Sequence, residues 1–530
     1  MSALRVAPAI AIGTLTLPIV FGLMGTILPA FGYLPALGGQ SFSLTPWADL
    51  LEQPAIWRSA FQACGVGLAA TAIAVMLVAL FTAGWYGTRL FSRLQNLVSP
   101  LLAVPHAAAA FGFAFMIMPS GFIARAFSPW ATGWTAPPDW LIVNDTMGLA
   151  LLAGLVLKEI PFLLLITLAA LPQVPAHRSL RFAQSVGYGR TAGFLLTVWP
   201  SIYPQVRFAI FAVIAYATAN VDMAVILGPT VPQTLPVRLA IWMNDPQLTV
   251  RFMACAGACL QIGVTVAALL SWIGLEKLGA QVRDYLSQKG LRFSRDHICR
   301  YATSALVVTG AVTIFVGLLT LGVWSFSGLW QFPDFAPQNL TLRTWERTLP
   351  RLGDPLKTTV IIGTVAVLVS LLLTIGCLAR EDETGRGRGS RALLLIYLPL
   401  LVPQIGFLFG LQLLFVSSNT NATWFAVILV HIVFVLPYVF LSLSAPWRAF
   451  DRRYEAIAAG LGKGRFSTLI SVRLPMLLRA ILAAAAVGFA VSIGQYLPTL
   501  LIGAGRFATI TTEAIALGAG GNRRLIGVYA

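Results

Sequence analysis

The side chains that most often perform chemistry are scattered along this sequence without the spacing of a catalytic or metal site. The four histidines are isolated from one another and from the cysteines: His106, His177, His297 and His431. The five cysteines form an odd, dispersed set: Cys64, Cys255, Cys259, Cys299 and Cys377. This set has neither a disulfide framework nor zinc-ligand spacing, and no serine lies in a nucleophile-elbow motif. We therefore expect no catalytic residue, no metal and no cofactor.

The nearest match to a nucleotide-binding loop lacks the parts that would bind phosphate. It is the pair Gly462-Lys463, where Ile457 replaces the leading glycine and Gly464 follows the lysine. The backbone cradle for phosphate and the hydroxyl for Mg²⁺ are both missing from this pattern. Any ATP hydrolysis must come from a separate subunit.

A second group of candidate residues is polar and interrupts long apolar stretches. Its members are Lys158, Glu159, Asn220, Asp222 and Gln495. Charges within a bilayer are costly and usually face a bundle interior or an aqueous path. Two interpretations stay open for Asp222: Lys158 or Arg207 neutralises it in a fixed interhelical pair, or the group lines a translocation path.

The composition requires a membrane to surround these residues. Hydrophobic residues make up 58% of the 530 residues and charged residues only 10%, where soluble domains have about 45–50% and about 25%. Runs long enough to cross about 30 Å of hydrocarbon occur at 8–31, 60–85, 97–118, 147–171, 201–228, 252–275, 302–325, 358–379, 393–416, 422–444 and 476–502. We predict an all-α polytopic membrane protein with eleven visible spans.

The positions of Lys and Arg predict the orientation of the spans. With the N-terminus inside, the cytoplasmic segments carry 22 of these residues and the opposite segments carry 11. Cytoplasmic loops are enriched in Lys and Arg, so this excess favours a cytoplasmic N-terminus. The net charge of +17 then reflects topology, and a nucleic-acid partner has no support.

The sequence contains an internal repeat. At a displacement of 275, Ala183 aligns with Ala458, Gly187 with Gly462, Gly189 with Gly464, Arg190 with Arg465 and Pro200 with Pro475. Farther upstream the displacement is about 298, where Pro105 aligns with Pro403. We predict two homologous parallel halves of about six spans each, at residues 1–290 and 291–530.

Each half has one long cytoplasmic loop of unusual sequence, Arg181–Pro200 and Ala456–Pro475. In both loops a helix-compatible stretch ends at a glycine, and a second glycine, an arginine, an amphipathic stretch and a proline follow. Glycine allows the positive φ of a helix C-cap, and proline is tolerated in a first helical turn. The pattern predicts a rigid helix–turn–helix.

These loops resemble the Glu-Ala-Ala loops of permeases in binding-protein-dependent ABC importers. The Ala, Gly and Pro spacing of that motif matches Ala183, Gly187 and Pro200, and again Ala458, Gly462 and Pro475. Two copies in one chain resemble the fused permeases of thiamine and ferric-iron uptake. The stretches 157–164, 221–229 and 487–517 look closer to the YnjC-type permeases.

The resemblance implies a function and partners. A pair of cytoplasmic ABC ATPase subunits would bind the two loops, and a periplasmic solute-binding protein would dock on 228–251 and 503–524. The substrate would pass between the halves of a multi-pass protein in the bacterial inner membrane. The motif's glutamate is replaced by Arg181 and Ala456, although Glu455 lies one residue earlier.

Two further expectations complete the interpretation. The alternative function is a self-contained secondary transporter or channel, with Lys158, Glu159 and Asp222 as an ion relay. Because a sixth span of the second half would begin near residue 527, we also expect the natural chain to continue past Ala530 through a twelfth span.

Overall fold

The structure is a computed structural model that describes residues 2–384 and 390–530, and the described residues form helices without a β-sheet. The α-helices up to residue 288 are α1 Ser2–Ala30, α2 Thr45–Leu51, α3 Ile56–Trp85, α4 Arg89–Val98, α5 His106–Ile117, α6 Phe122–Phe127, α7 Leu149–Ala170, α8 Ala176–Ser185, α9 Arg190–Thr197, α10 Trp199–Thr218, α11 Asp222–Leu227, α12 Leu235–Met243 and α13 Val250–Gln288. The remaining α-helices are α14 His297–Phe326, α15 Arg343–Thr384, α16 Ser390–Leu401, α17 Gln404–Ser417, α18 Trp424–Arg448, α19 Arg453–Gly460, α20 Arg465–Thr468, α21 Leu474–Met476, α22 Leu478–Ile493, α23 Leu497–Gly503, α24 Ile510–Ala519 and α25 Arg523–Tyr529.

The described helices agree with the predicted all-α polytopic class. Eight are long and apolar enough to cross a membrane, and three bent pairs raise the number to eleven if each pair is one span. The pairs α9–α10, Leu395–Leu401 with α17, and Arg465–Met476 with α22 are bent by 66°, 99° and 74°. Pro200, Pro403 and Pro475 lie near these bends, where proline removes a backbone donor and clashes with the preceding turn.

In two predicted spans, the main helix ends before the apolar stretch does. Within the predicted span 201–228, α10 ends at Thr218, and within 476–502, α22 ends at Ile493. The short helices α11 and α23 follow, after breaks at residues 219–221 and 494–496. Polar Asn220 and Gln495 lie in the breaks, so both helices are interrupted at positions 275 residues apart.

Packing divides the chain into two compact units. The first contains residues 1–28 and 351–513, and the second contains residues 29–350 and 514–530. The predicted halves, 1–290 and 291–530, are divisions along the sequence and stay a prediction. The units differ from them chiefly in α1 and α14, since each of these helices packs with helices from the other part of the sequence.

Glycines allow both of these helices to approach their neighbours closely. In the first unit, a Cβ at Gly25 of α1 would lie 2.7 Å from the carbonyl oxygen of Gly410 in α17. The Gly410 N–H donates to Thr26 Oγ1 at 3.2 Å. In the second unit, a Cβ at Gly112 of α5 would lie 2.8 Å from the backbone of Gly317 in α14. Small residues at such crossings are typical of membrane helix packing.

Candidate functional site

The first of the two repeated loops, Arg181–Pro200, forms the predicted helix–turn–helix from α8 and α9. Gly187 has φ +92°, a conformation that only glycine adopts without strain. The Gly187 N–H donates to the Gln184 carbonyl at 3.0 Å, and the Tyr188 N–H donates to the Ala183 carbonyl at 3.2 Å. Ala183 is buried, and a Cβ at Gly193 of α9 would lie 3.0 Å from its methyl group. Small side chains therefore let the two helices pack together.

The second loop repeats this turn between α19 and α20. Gly462 has φ +80°, and its N–H donates to the Ala459 carbonyl at 3.0 Å. The next N–H, of Lys463, donates to the carbonyl of buried Ala458, also at 3.0 Å. Gly464 directly precedes α20. The two loops thus share one backbone turn, closed by the same pair of hydrogen bonds.

The arginine and the proline of the repeated motif occupy similar positions relative to the helices of each loop. Arg190 begins α9 and donates to the Tyr86 carbonyl, whereas Arg465 begins α20 and is exposed. Pro200 lies in the first turn of α10, and Pro475 lies in α21, before α22 begins.

The second loop presents apolar side chains beside its turn. Leu461 is 78% exposed, Ile457 61% and Phe466 58%. A Cβ built at Gly462 or Gly464 would have open space around it. Apart from the chain neighbours of each glycine, no described residue has a heavy atom within 4 Å of that position. The first loop exposes Phe182, at 69%. Exposed apolar side chains in a loop this rigid are typical of a surface that binds another protein.

Arg473 connects the second loop to two transmembrane helices. Its Nη1 lies 2.8 Å from Glu455 Oε1 and 2.7 Å from Asp382 Oδ2, at the end of α15. Its Nη2 donates to the Trp447 carbonyl at 3.0 Å, and its guanidinium lies 4.1 Å from the centroid of the Trp447 ring. Trp447 Nε1 in turn donates to Asp382 Oδ2 at 2.9 Å. Glu455 therefore holds α19 against α15 and α18.

The sequence analysis missed this network, although a charge pattern could have indicated it. Residues 381–383 are three consecutive acidic residues at the end of one span, and Arg448 and Arg452 follow the end of another. Arg448 pairs with Glu381 at 2.9 Å and Arg452 with Asp382 at 2.8 Å. Complementary charges at two span ends could therefore have indicated contacts there, but not the buried position of Arg473.

The structure brings four of the five candidate path residues together in the second unit. Asp222 begins α11 and accepts a hydrogen bond from Asn220 Nδ2 at 2.9 Å. Asn220 Oδ1 accepts from the N–H groups of Met223 and Ala224, so its side chain caps this short helix. Gln495 occupies the corresponding break in the first unit, where its carbonyl accepts from Thr499 Oγ1 at 2.6 Å.

The charged members of this group make few direct bonds. Lys158 Nζ donates to the Leu101 carbonyl at 2.9 Å, and Glu159 Oε1, which is buried, has no hydrogen-bond partner among the described residues. Arg207 pairs with Glu276 at 2.7 Å, so the interpretation that it neutralises Asp222 is wrong. Within the described ranges, Lys158 has no carboxylate oxygen within 4.0 Å either. The cluster therefore holds three ionisable groups without a fixed ion pair.

Comparison with known proteins places this arrangement in a family. The family model described as binding-protein-dependent transport system inner membrane component matches residues 385–520. The inner membrane ABC transporter permease protein YnjC of Escherichia coli (strain K12) is 30% identical over 493 residues, which cover 92% of this chain and 88% of the relative. The chain belongs to the ABC transporter permeases.

Other relatives of the permease have different solutes in their names. The spermidine/putrescine transport system permease protein PotC homolog of Mycoplasma pneumoniae is 29% identical over 172 residues, 31% of this chain and 60% of the relative. The molybdate/tungstate transport system permease protein WtpB of Pyrococcus abyssi is 27% identical over 174 residues, 32% of this chain and 68% of the relative. No solved structure matches the permease.

The family confirms the main functional prediction. The permease is a membrane subunit of a binding-protein-dependent ABC importer, a multi-pass inner-membrane protein and a transporter component rather than an enzyme. The resemblance to YnjC-type permeases is confirmed as well. The solutes named above are those of the relatives. Spermidine and putrescine are cations, whereas molybdate and tungstate are anions.

The polar side chains near the two turns differ: the first loop has the amide Gln184, and the second is preceded by the carboxylate Glu455. We expect Glu455→Ala to lower transport more than Gln184→Ala, because Glu455 bonds to buried Arg473 at 2.8 Å whereas Gln184 is exposed. Loss of one partner of a hydrogen-bonded charge pair costs about 1.5–3 kcal/mol. Initial uptake rates in vesicles with equal permease content measure the difference. Equal rates for the two variants would contradict a role of Glu455 in holding α19.

Proposed function

We propose that the permease couples to a pair of cytoplasmic ATPase subunits through the loops Arg181–Pro200 and Ala456–Pro475. The observation that carries this proposal is the shared turn, in which Gly187 and Gly462 have positive φ and the same two hydrogen bonds close each loop. A partner that binds as two equal subunits needs two similar surfaces. The internal repeat supplies one in each of the halves 1–290 and 291–530.

The charge and apolar character of the loops support the same partner. Cytoplasmic placement of both loops follows from the excess of Lys and Arg on that side, with the N-terminus also inside. The exposed Ile457, Leu461 and Phe466 suit an apolar cleft. The sequence lacks a phosphate-binding loop, so the energy must arrive through a protein contact of this kind.

The opposite surface suits a solute-binding protein. Segment 228–251 follows α11, and segment 503–524 follows α23. These are the two short helices that come after the helix breaks. A partner docked there would lie beside the helix breaks and could release a solute towards them. We therefore assign docking of the binding protein to these two segments.

We further propose that the helix breaks line the solute path. Irregular backbone at membrane depth is tolerated where it lies within protein or faces a water-filled cavity, and transporters form solute sites at discontinuous helices. Asn220 and Gln495 lie in the two breaks, and Asp222, Lys158 and Glu159 belong to the polar cluster beside the first.

Co-purification tests the coupling proposal. The tagged permease is purified from native membranes and assayed for ATP hydrolysis and for ATP-driven uptake in proteoliposomes with the binding protein. We expect an ATPase subunit to co-purify and uptake to require ATP. Uptake by the permease alone, driven by an ion gradient, would instead establish the secondary transporter.

The substitution Asp222→Asn tests whether the Asp222 carboxylate lines the solute path. The substitution keeps the shape and the acceptor for Asn220 Nδ2 but removes the charge, so we expect slower uptake of a cationic solute with the ATPase still bound. The matched control is Asp139→Asn, in an exposed loop between α6 and α7, which leaves uptake unchanged. Normal uptake by Asp222→Asn would show that the carboxylate only contributes packing polarity.

A further inference from the structure

The segment that joins α13 to α14 lies against the first cytoplasmic loop. We call residues Arg292–Asp296 of this segment the clasp. The Gly189 N–H donates to the Arg292 carbonyl at 3.0 Å. A Cβ at Gly189 would collide with the Phe293 carbonyl oxygen, and one at Gly187 would lie 3.0 Å from Arg292 Nη1. The neighbouring backbone therefore requires a glycine at position 189, whereas Gly187 is required by the positive φ of the turn itself.

Asp296 makes the most specific contact of the clasp. Its Oδ2 accepts from the Thr191 N–H, in the first turn of α9, at 2.7 Å. Carboxylates are favoured at helix N-termini, where backbone N–H groups lack partners. Asp296 directly precedes α14, yet its side chain does not cap α14. It caps a helix of the first loop instead.

The first turns of α14 continue this contact. The Arg300 guanidinium lies 4.6 Å from the centroid of the Trp85 ring, and Trp85 Nε1 donates to the Arg300 carbonyl at 3.2 Å. Next to Trp85, the Tyr86 carbonyl accepts from Arg190 of α9. The first loop, the end of α3 and the start of α14 therefore form one packed group.

The second loop has no such covering among the described residues. Cβ atoms built at Gly460, Gly462 and Gly464 have no heavy atom within 4 Å beyond their own chain neighbours. That loop is instead held from the other side, through Arg473 and its two carboxylates. The two loops therefore share a turn but differ in what connects them to the membrane helices.

We propose that the clasp positions the first loop and connects it directly to α14, so that displacement of the loop moves α14. The proposal rests on the coupling role of the first loop. It adds a route of transmission: the hydrogen bonds of Arg292 and Asp296 join the loop to a segment that continues without interruption into a long membrane helix. The described residues show this route at the first loop.

Substitution of Asp296 tests the contact. In Asp296→Ala, hydrogen exchange at the Thr191 amide becomes about fivefold faster, the factor of a typical lost helix cap, and uptake per ATP hydrolysed falls. Asp296→Asn keeps an acceptor oxygen, so this variant retains most of the exchange protection at Thr191 and most of the uptake per ATP. Asp284→Ala, an exposed residue of α13 paired with Arg283, is the matched control. Equal losses in Asp296→Ala and Asp296→Asn, with unchanged exchange at Thr191, would overturn the proposal.

Two insertions test the connection to α14 in the assembled complex. Four flexible residues between Asp296 and His297 leave the clasp contacts in place but separate them from α14, and uptake per ATP falls. The same insertion after Gly290, which has open space around it and φ +63°, leaves uptake unchanged. If both insertions leave uptake unchanged while Gly187→Leu and Gly462→Leu abolish it, the clasp proposal fails and the coupling role stands. If those two glycine variants also transport normally, the coupling role itself fails.

Discussion

Gly462→Leu abolishes ATP-driven uptake and leaves the permease in the membrane: this is the largest effect that the account predicts. Gly462 has φ +80°, and a left-handed conformation costs an L-residue roughly 1–2 kcal/mol. That strain alone is too small to unfold a protein of this size. The side chain would project from the turn into the space that we assign to the ATPase. Uptake in proteoliposomes and permease content by immunoblot measure the two halves of the prediction.

Two neighbouring substitutions separate strain from bulk. Gly462→Ala carries the strain of an L-residue in this conformation but adds only one methyl group, so we expect uptake to be largely retained. Gly464 has φ −67°, which any residue adopts, so Gly464→Leu adds bulk without strain and lowers uptake. Normal uptake by Gly462→Leu would show that the second loop does not couple. Gly187→Leu is expected to abolish uptake too, but there the side chain also meets Arg292.

Arg473→Met is expected to destabilise the permease and to abolish uptake through a different cause. The side chain of Arg473 is 5% exposed and contacts two carboxylates, at 2.7 and 2.8 Å. Loss of a hydrogen-bonded charge pair costs about 1.5–3 kcal/mol. Glu455 loses this bond to Arg473, whereas Asp382 keeps its pair with Arg452 at 2.8 Å. We therefore expect a lower midpoint of thermal unfolding in detergent. Arg473→Lys is intermediate, since an ammonium lacks the planar fork that bonds several acceptors at once.

Controls identify the unpaired Glu455 as the cause. The double substitution Arg473→Met and Glu455→Gln removes the stranded charge and should recover part of the lost stability. Arg479→Met, in an exposed residue of α22, should leave the unfolding midpoint unchanged. If Arg473→Met unfolds at the same temperature as the unsubstituted permease, the network does not stabilise the loop.

The features that the sequence predicted are those that backbone chemistry dictates locally. Apolar length located the spans, since a helix must satisfy its own hydrogen bonds in lipid. The spacing of Gly187 and Gly462 within their loops predicted the two turns, because a positive φ selects glycine. The repeat then indicated that the turns are equivalent, and their hydrogen bonds are indeed the same.

The features that the sequence missed depend on contacts between distant segments. Apolar composition extended the span of α10 through Asn220, whose side chain instead caps α11. From charge alone, Arg207 was a possible partner for Asp222, but Arg207 bonds to Glu276 on α13. The contact of Asp296 with Thr191 joins residues 105 apart in sequence. Local sequence patterns do not predict contacts between residues so far apart in the sequence.

Photo-crosslinking from the two loops tests the central claim, that both bind ATPase subunits. A benzoylphenylalanine replaces Leu461 or Phe182, which are 78% and 69% exposed, and the complex is irradiated in native membranes. The control position is Trp130, 75% exposed in the loop after α6. The account predicts crosslinks to an ATPase subunit from both loops and none from Trp130. A complex that performs ATP-driven uptake without a crosslink from either loop would contradict it.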